Sequence, residues 1–219
     1  MSTAITTIQV AASTDDARTN NNTWPATANH NATGTNSVIG QYPAGAWTMV
    51  GARFLGVPVP QGATIESASV SFQSNSDLSG SLVMAIAAED VDDAATFGDA
   101  HTTYDAYSAK TTAVAEWTVG AWTTGNWFQS ADISTVIQEI VDREGWASGN
   151  DIVLLFYAKN SSQSGYRRPR LYDYAGNASG PKLDITYSAD AAGPPAMRRY
   201  GGVPGCAFIQ HNNPPIKWG

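Results

Sequence analysis

A run of acidic side chains is the first feature of this sequence that could carry chemistry: Glu89, Asp90, Asp92 and Asp93 lie within five residues. Clustered carboxylates are the ligands that Ca²⁺ prefers, so the run is a candidate for a structural calcium site. We favour a simpler interpretation, a solvated turn after an apolar segment, and we expect no bound metal or cofactor. A glycosidase pair fits less well, because that reaction needs two carboxylates held about 5 to 9 Å apart across a cleft.

The histidines give little support for catalysis. His30, His101 and His211 lie in polar or proline-rich stretches. The chain contains no Gly-x-Ser-x-Gly, His-Glu-x-x-His or glycine-rich phosphate-binding motif. We therefore predict that the protein has no catalytic residues and is not an enzyme.

Aromatic side chains are the next candidates, since the chain has 7 tryptophans and 9 tyrosines. Trp24, Trp122 and Trp127 lie in polar stretches, where an exposed ring can stack on the face of a sugar. They are the candidate glycan-binding residues. The alternative is that these rings fasten loops to the core, because a buried aromatic side chain removes about 150 to 250 Å² from water. We expect this second role for at least two of the three.

The C-terminal segment, residues 189–219, differs in composition from the rest. A Pro- and Gly-rich linker precedes a basic, aromatic stretch, which has three positive charges and no acidic residue after position 196. The net charge of the whole chain is −7, so the net charge of residues 1–190 is −10. We call residues 189–219 the arm. Its apolar side chains have no local periodicity to bury them, so we expect it to bind another protein. The expected contact residues are Arg198, Arg199, Tyr200, Phe208 and Trp218.

The charge and the cysteine content narrow the choice of partners. An acidic body repels phosphate backbones and anionic lipids, so we expect neither nucleic acid nor membrane as a partner. The single cysteine, Cys206, excludes an intrachain disulfide.

We expect the basic cluster of Arg167, Arg168 and Arg170 to pair with carboxylates on neighbouring strands.

Short apolar segments separated by turns predict an all-β protein. A strand-like segment begins with Ile5, Ile8 and Val10, and further predicted strands lie at residues 47–57, 64–72, 82–88, 114–119, 151–158, 170–174 and 183–187. Residues 18–45 are polar and rich in asparagine, threonine and glycine, which indicates a long surface excursion.

One helix interrupts this pattern, at about residues 131–144. Its apolar residues recur with helical spacing at Ile133, Val136, Ile137, Ile140 and Val141. We predict a two-sheet jelly-roll β-sandwich over residues 1–188 with this one helix packed on it, followed by the extended arm.

Three stretches carry a family resemblance: residues 53–68, 136–150 and 181–187. They are similar to the jelly-roll modules of the DNRLRE type and to their bacteriophage relatives. The resemblance implies a carbohydrate-binding-module-like sandwich, as found in adhesins, in polysaccharide-degrading enzymes as an accessory domain, and in phage virion proteins.

From this resemblance we expect a non-enzymatic bacteriophage virion structural protein, a capsid decoration or cement protein anchored by the arm. The expected partners are the major capsid protein or tail components, together with further copies of the chain in a dimer or trimer. The alternative is a tail-fibre or tail-tip adhesin module that binds host glycan. The first residues have no basic region and no long apolar run, which predicts no signal peptide and assembly into the virion in the host cytoplasm.

Overall fold

The computed structural model describes residues 2–26, 30–35, 37–42 and 45–189. Almost all of the arm, including its five predicted contact residues and Cys206, lies outside the described residues. The same holds for His211.

Two antiparallel sheets form a jelly-roll-like β-sandwich, which confirms the predicted fold. The strands are β1 (Ser2–Gln9), β2 (Asp16–Asn21), β3 (Ile39–Gln41), β4 (Trp47–Phe54), β5 (Thr64–Gln73), β6 (Leu82–Ala88), β7 (Ala115–Val119), β8 (Trp127–Gln129), β9 (Ile152–Ala158), β10 (Tyr166–Arg167) and β11 (Lys182–Ala189). The helices are α1 (Thr103–Ser108), α2 (Ser134–Val141) and α3 (Tyr172–Ala175).

The smaller sheet has four strands in the order β1-β11-β5-β8. Its strands alternate between buried apolar and exposed polar side chains: Leu183 and Ile185 on β11 are fully buried, whereas Asp184 between them is partly exposed. This two-residue period places one face of the sheet on the core and the other in solvent.

The larger sheet has seven strands. Six of them follow the order β10-β3-β4-β9-β6-β7, and the seventh, β2, pairs with β4 on the edge opposite to that of β3 and β9. Every residue of β9 is buried, so both faces of this central strand are covered. The loop between β6 and α1 covers the face of the larger sheet that is away from the smaller sheet. Phe97 of this loop packs tightly on Gly51 of β4, because a Cβ on Gly51 would lie 2.5 Å from its ring. The predicted surface excursion at residues 18–45 is therefore only partly correct, because β2 and β3 belong to this sheet.

Helix α2 is the predicted packed helix, but it is shorter than the predicted 131–144. Asp132 accepts hydrogen bonds from the backbone amides of Ala68 and Ser134 and so joins the start of the helix to β5. The end is fixed by Gly62, whose amide donates to the carbonyl of Val141. Gly62 has a positive φ of 66°, which glycine adopts at little cost, and it turns the chain from β4 into β5.

Two short helices were not predicted. Helix α1 begins with a capping box, in which Thr102 and Asp105 exchange hydrogen bonds between side chain and backbone. The strand predicted at residues 170–174 is confirmed only at Arg170, whose amide donates to the carbonyl of Gln73 at 2.8 Å, because helix α3 occupies the residues from Tyr172 onward. Further backbone pairing lies earlier in the chain, where β10 joins β3 and where Pro169 forms a bridge with Ser74. In the part of the chain that the structure describes, no helix has the length and apolar character needed to span a membrane.

Two members of the basic cluster, Arg167 and Arg170, do not pair with carboxylates as predicted. The Arg167 side chain is fully buried and donates five hydrogen bonds of 2.6 to 3.0 Å to backbone carbonyls, those of Gly80, Val119, Gly120 and Tyr166. Arg170 donates to the side-chain carbonyl of Gln73 and lies 4.1 Å above the ring of Tyr174. Carbonyl oxygens therefore replace the expected carboxylates of these two residues, and the Arg167 guanidinium joins β10 to the end of β7 and to the loop between β5 and β6.

Asp16 is a buried carboxyl group with an incomplete set of partners. Its side chain is fully buried, one oxygen accepts from the amide of Tyr172 at 2.7 Å, and the other has no hydrogen-bond partner. Burial raises the pKa of Asp16 to about 8 despite that hydrogen bond, and the charges of Asp173 and Asp15 act in the same direction. The folded protein therefore keeps this group protonated at neutral pH.

Asp16 should make the protein less stable as the pH rises from about 4 to about 8, because the unfolded chain ionises in this window and the folded chain does not. Asp16→Asn is neutral in both states and should remove this slope, which is at most about 1.4 kcal/mol per pH unit. Urea unfolding at pH 5, 6.5 and 8 measures the difference. Glu66→Gln, on an exposed side chain, is the control, and equal slopes in all three proteins would contradict the assignment.

Candidate functional site

The solvent-facing side of the four-stranded sheet is the candidate site, and we call it the outer face. The registers place Asp184 between Thr7 and Ser69, and Thr186 between Ile5 and Ser67. These side chains all belong to the solvent-facing set of their strands, and all of them except Ile5 are polar. The inward set of the same strands builds the core, so the register that forms the core also forms this surface.

The outer face contains a shallow depression of about 340 Å³. Its lining is polar except for one alanine and comes from β5, β8, β11 and the segment between β8 and α2. The lining residues are Ser67, Ala68, Ser69, Gln129, Ser130, Asp132, Asp184 and Thr186. Hydroxyl, amide and carboxylate groups of this kind donate to and accept from ligand hydroxyl groups.

Trp127 lies beside this depression, two residues before Gln129 on the same strand. Its side chain is 36% exposed, the ammonium group of Lys182 lies 4.0 Å from the centre of its ring, and Gln73 is its cross-strand neighbour. The next residue, Phe128, points inward. The outer face therefore combines an accessible aromatic ring with hydrogen-bonding groups.

Hydrogen bonds hold the polar groups of the outer face in place. Thr7 donates to Asp184 at 2.5 Å, and Gln129 donates to the Ser69 hydroxyl at 2.6 Å. Burial acts to raise the pKa of Asp132, but the hydrogen bonds from Ala68 and Ser134 outweigh it and lower that pKa, so the carboxylate is ionised at neutral pH. A fixed set of donors and acceptors loses little conformational entropy when a ligand binds.

The other two candidate tryptophans lie elsewhere. Trp122 is 2% exposed and belongs to a buried aromatic cluster, in which its ring stacks on Phe128 with 5.2 Å between centroids. Trp24 is half-buried, and its indole nitrogen donates to the carbonyl of Ala158. Of the three candidates, only Trp127 is on the outer face.

The acidic run does not converge on one point. Glu89 is buried and lies 3.3 Å from the imidazole of His101, Asp90 and Asp92 both bind Arg143, and Asp93 accepts from the amide of Asp151. Every carboxylate of the run thus has a partner within the protein, Arg143 being shared by Asp90 and Asp92, and the four carboxylates do not surround a common point as they would in a calcium site. Among the described residues, no group of three or more His, Cys, Asp or Glu side chains is arranged to hold a metal ion.

A pair of histidines near Glu89 was not predicted to come together. The ring of Phe97 stacks on that of His101 with 5.8 Å between centroids, and its centroid lies 6.3 Å from that of His30. These residues cover the face of the larger sheet that is away from the smaller sheet. Burial raises the pKa of Glu89 although His101 acts to lower it, and burial also lowers the pKa of His30. The residues are too far apart in sequence for any local pattern to indicate this contact.

Comparison of the chain with protein-family models found no match, and a search of curated proteins likewise found none.

Proposed function

We propose that the protein is a non-enzymatic structural protein of a bacteriophage virion, a capsid decoration or cement protein that assembles in the host cytoplasm. The observation that carries the proposal is the position of the three stretches that resemble DNRLRE-type and phage modules. They are far apart in sequence, at residues 53–68, 136–150 and 181–187, and they meet in one region of the sandwich.

Side-chain and backbone hydrogen bonds join these stretches directly. The indole nitrogen of Trp146 donates to the carbonyl of Val59 at 2.9 Å, and the hydroxyl of Tyr187 donates to the carbonyl of Pro58 at 2.9 Å. The amide of Val57 also donates to the carbonyl of Asn150. The resembling residues therefore form one tertiary unit in this chain, and in our proposal that unit is what the chain shares with these modules.

The arm supplies the proposed attachment to the virion. Its positive charge is opposite to that of the body, and its aromatic residues suit pockets on a capsid or tail protein, where a few buried aromatics supply most of the binding energy. In this proposal Tyr200, Phe208 and Trp218 are the anchors, and Arg198 and Arg199 bind carboxylates at the rim of the contact.

Deletion of residues 196–219 tests this attachment. The shortened protein should keep its β-rich circular dichroism spectrum and its melting temperature, because the described sandwich ends at Ala189, but it should be missing from purified particles. A full-length variant with alanine at Tyr200, Phe208 and Trp218 is the matched control for arm length and should also be missing. Unfolding of the shortened protein, or its full occupancy on particles, would contradict the proposal.

A second candidate function is glycan binding by a tail-fibre or tail-tip adhesin, and the exposed ring of Trp127 on the polar outer face favours it. Sugars present apolar C–H faces together with many hydroxyl groups. A ring flanked by fixed amides, hydroxyls and carboxylates matches both features. The ammonium group of Lys182 lies over one face of the ring, so a sugar would stack on the opposite face or displace this side chain, and the ammonium group adds a further donor to the same surface.

Trp127→Ala should abolish binding to host-surface polysaccharide on a glycan array while changing the melting temperature by at most a few degrees, since this side chain is partly exposed. Trp122→Ala should instead destabilise the fold by about 3 to 5 kcal/mol, the usual cost of removing a large buried aromatic. Trp122→Phe is the milder control and should retain binding. Unchanged binding in Trp127→Ala, or no binding by the natural sequence, would argue against the adhesin.

A further inference from the structure

Strand β1 forms a long free edge of the smaller sheet. It pairs with β11 along its whole length, from Ser2 opposite Ala189 to Gln9 opposite Lys182. No strand among the described residues pairs with its other side. One row of backbone amides and carbonyls on this 8-residue strand is therefore left without a partner in the sheet.

This edge lacks the features that usually block association between sheets. Such features are charged side chains, proline, bulges and short strands. Strand β1 has the sequence STAITTIQ, without a charge or a proline, and its register with β11 has no shift. Ile5 is 77% exposed, more than any other large apolar side chain of the described residues. An unprotected edge with an exposed isoleucine indicates a surface that binds another strand.

The other edge strands are shorter or charged. Strand β8 has three residues and β10 has two. Strand β7 carries Glu116, which is paired with Lys159, and β2 carries Arg18. The contrast shows that the protection is missing at β1 and present elsewhere on the same molecule.

We propose that two copies of the chain pair antiparallel through their β1 edges and form one continuous eight-stranded sheet. The sequence is self-complementary around Ile5: with Ile5 on a twofold axis, Thr3 lies opposite Thr7 of the second copy, and Ala4 lies opposite Thr6. Cross-strand Thr–Thr and apolar pairs of this kind stabilise sheets. Two acidic bodies repel each other, and the uncharged β1 edge is a surface along which they can approach.

The sequence predicts a dimer or trimer, and this inference favours the dimer and locates one of its contacts. It requires neither the arm nor the attachment to a virion. If deletion of residues 196–219 contradicts the attachment through the arm, the pairing of β1 edges still stands. If the β1 edges do not pair, the proposed attachment through the arm still stands. The joined sheet would also place two copies of the outer face side by side, which increases avidity for a repeated ligand.

Ile5→Lys introduces the type of side chain that blocks sheet edges, and Val114→Lys makes the same change at another exposed apolar residue. Sedimentation equilibrium of the full chain should show a dimer for the natural sequence and for Val114→Lys. Ile5→Lys should raise the dissociation constant at least about tenfold, which is about 1.4 kcal/mol. A monomeric natural protein at 100 µM, about the upper limit of the measurement, or an unchanged dimer in Ile5→Lys, would overturn the proposal.

Cysteine cross-linking tests the register and remains informative if Ile5→Lys fails to fold. In a Cys206→Ser background, Ile5→Cys should form a disulfide-linked dimer on mild oxidation, because paired residues on the axis have Cβ atoms about 4.5 to 5.5 Å apart. Thr3→Cys should not, since it would lie about 13 Å from its own copy, four residues along the strands. Cross-linking at both positions, or at neither, would contradict the pairing around Ile5.

Discussion

The alternation of apolar and polar residues along β5 and β11 is the constraint on which the rest of the smaller sheet depends. Leu183 and Ile185 are buried and lie opposite the buried residues Val70 and Ala68 of β5, so the register of these strands allows only one set of side chains to face solvent. A shift by one residue would expose the apolar set and bury Asp184. The outer face, the depression beside Trp127 and the free edge of β1 are all consequences of this single register.

Two guanidinium groups join segments of the sandwich that are distant in sequence. Arg53 joins Asp15 and Asp151 and also donates to the carbonyl of Ala94, and Arg167 joins β10 to the end of β7. The planar guanidinium group has five donors in a fixed geometry, so one side chain can satisfy several buried acceptors. These contacts place the charged groups of the interior in structural roles and leave the outer face and the edge as the surfaces suited to binding.

Local sequence patterns predicted the sandwich because burial imposes a two-residue period on strands and a near-four-residue period on α2. The strand at residues 82–88 was predicted with its observed bounds, and Trp127 was among the candidate binding residues. The partners of Arg167 and the contact between Glu89 and His101 could not be predicted, because each depends on residues distant in sequence. At least two of the three candidate tryptophans were expected to fasten loops to the core, but the sequence could not show which of them would do so. Helix α3 was mistaken for a strand because four residues are too few to show a period.

A cryo-EM reconstruction of phage particles produced by the genome that encodes this chain is the most direct test of the central claim. We expect the sandwich on the outer surface of the particle in symmetric multimers, with the segment after Ala189 in contact with a neighbouring virion protein. Density for the fold together with peptides of the chain in the purified particles would support the assignment. Particles that are complete without the protein would contradict it.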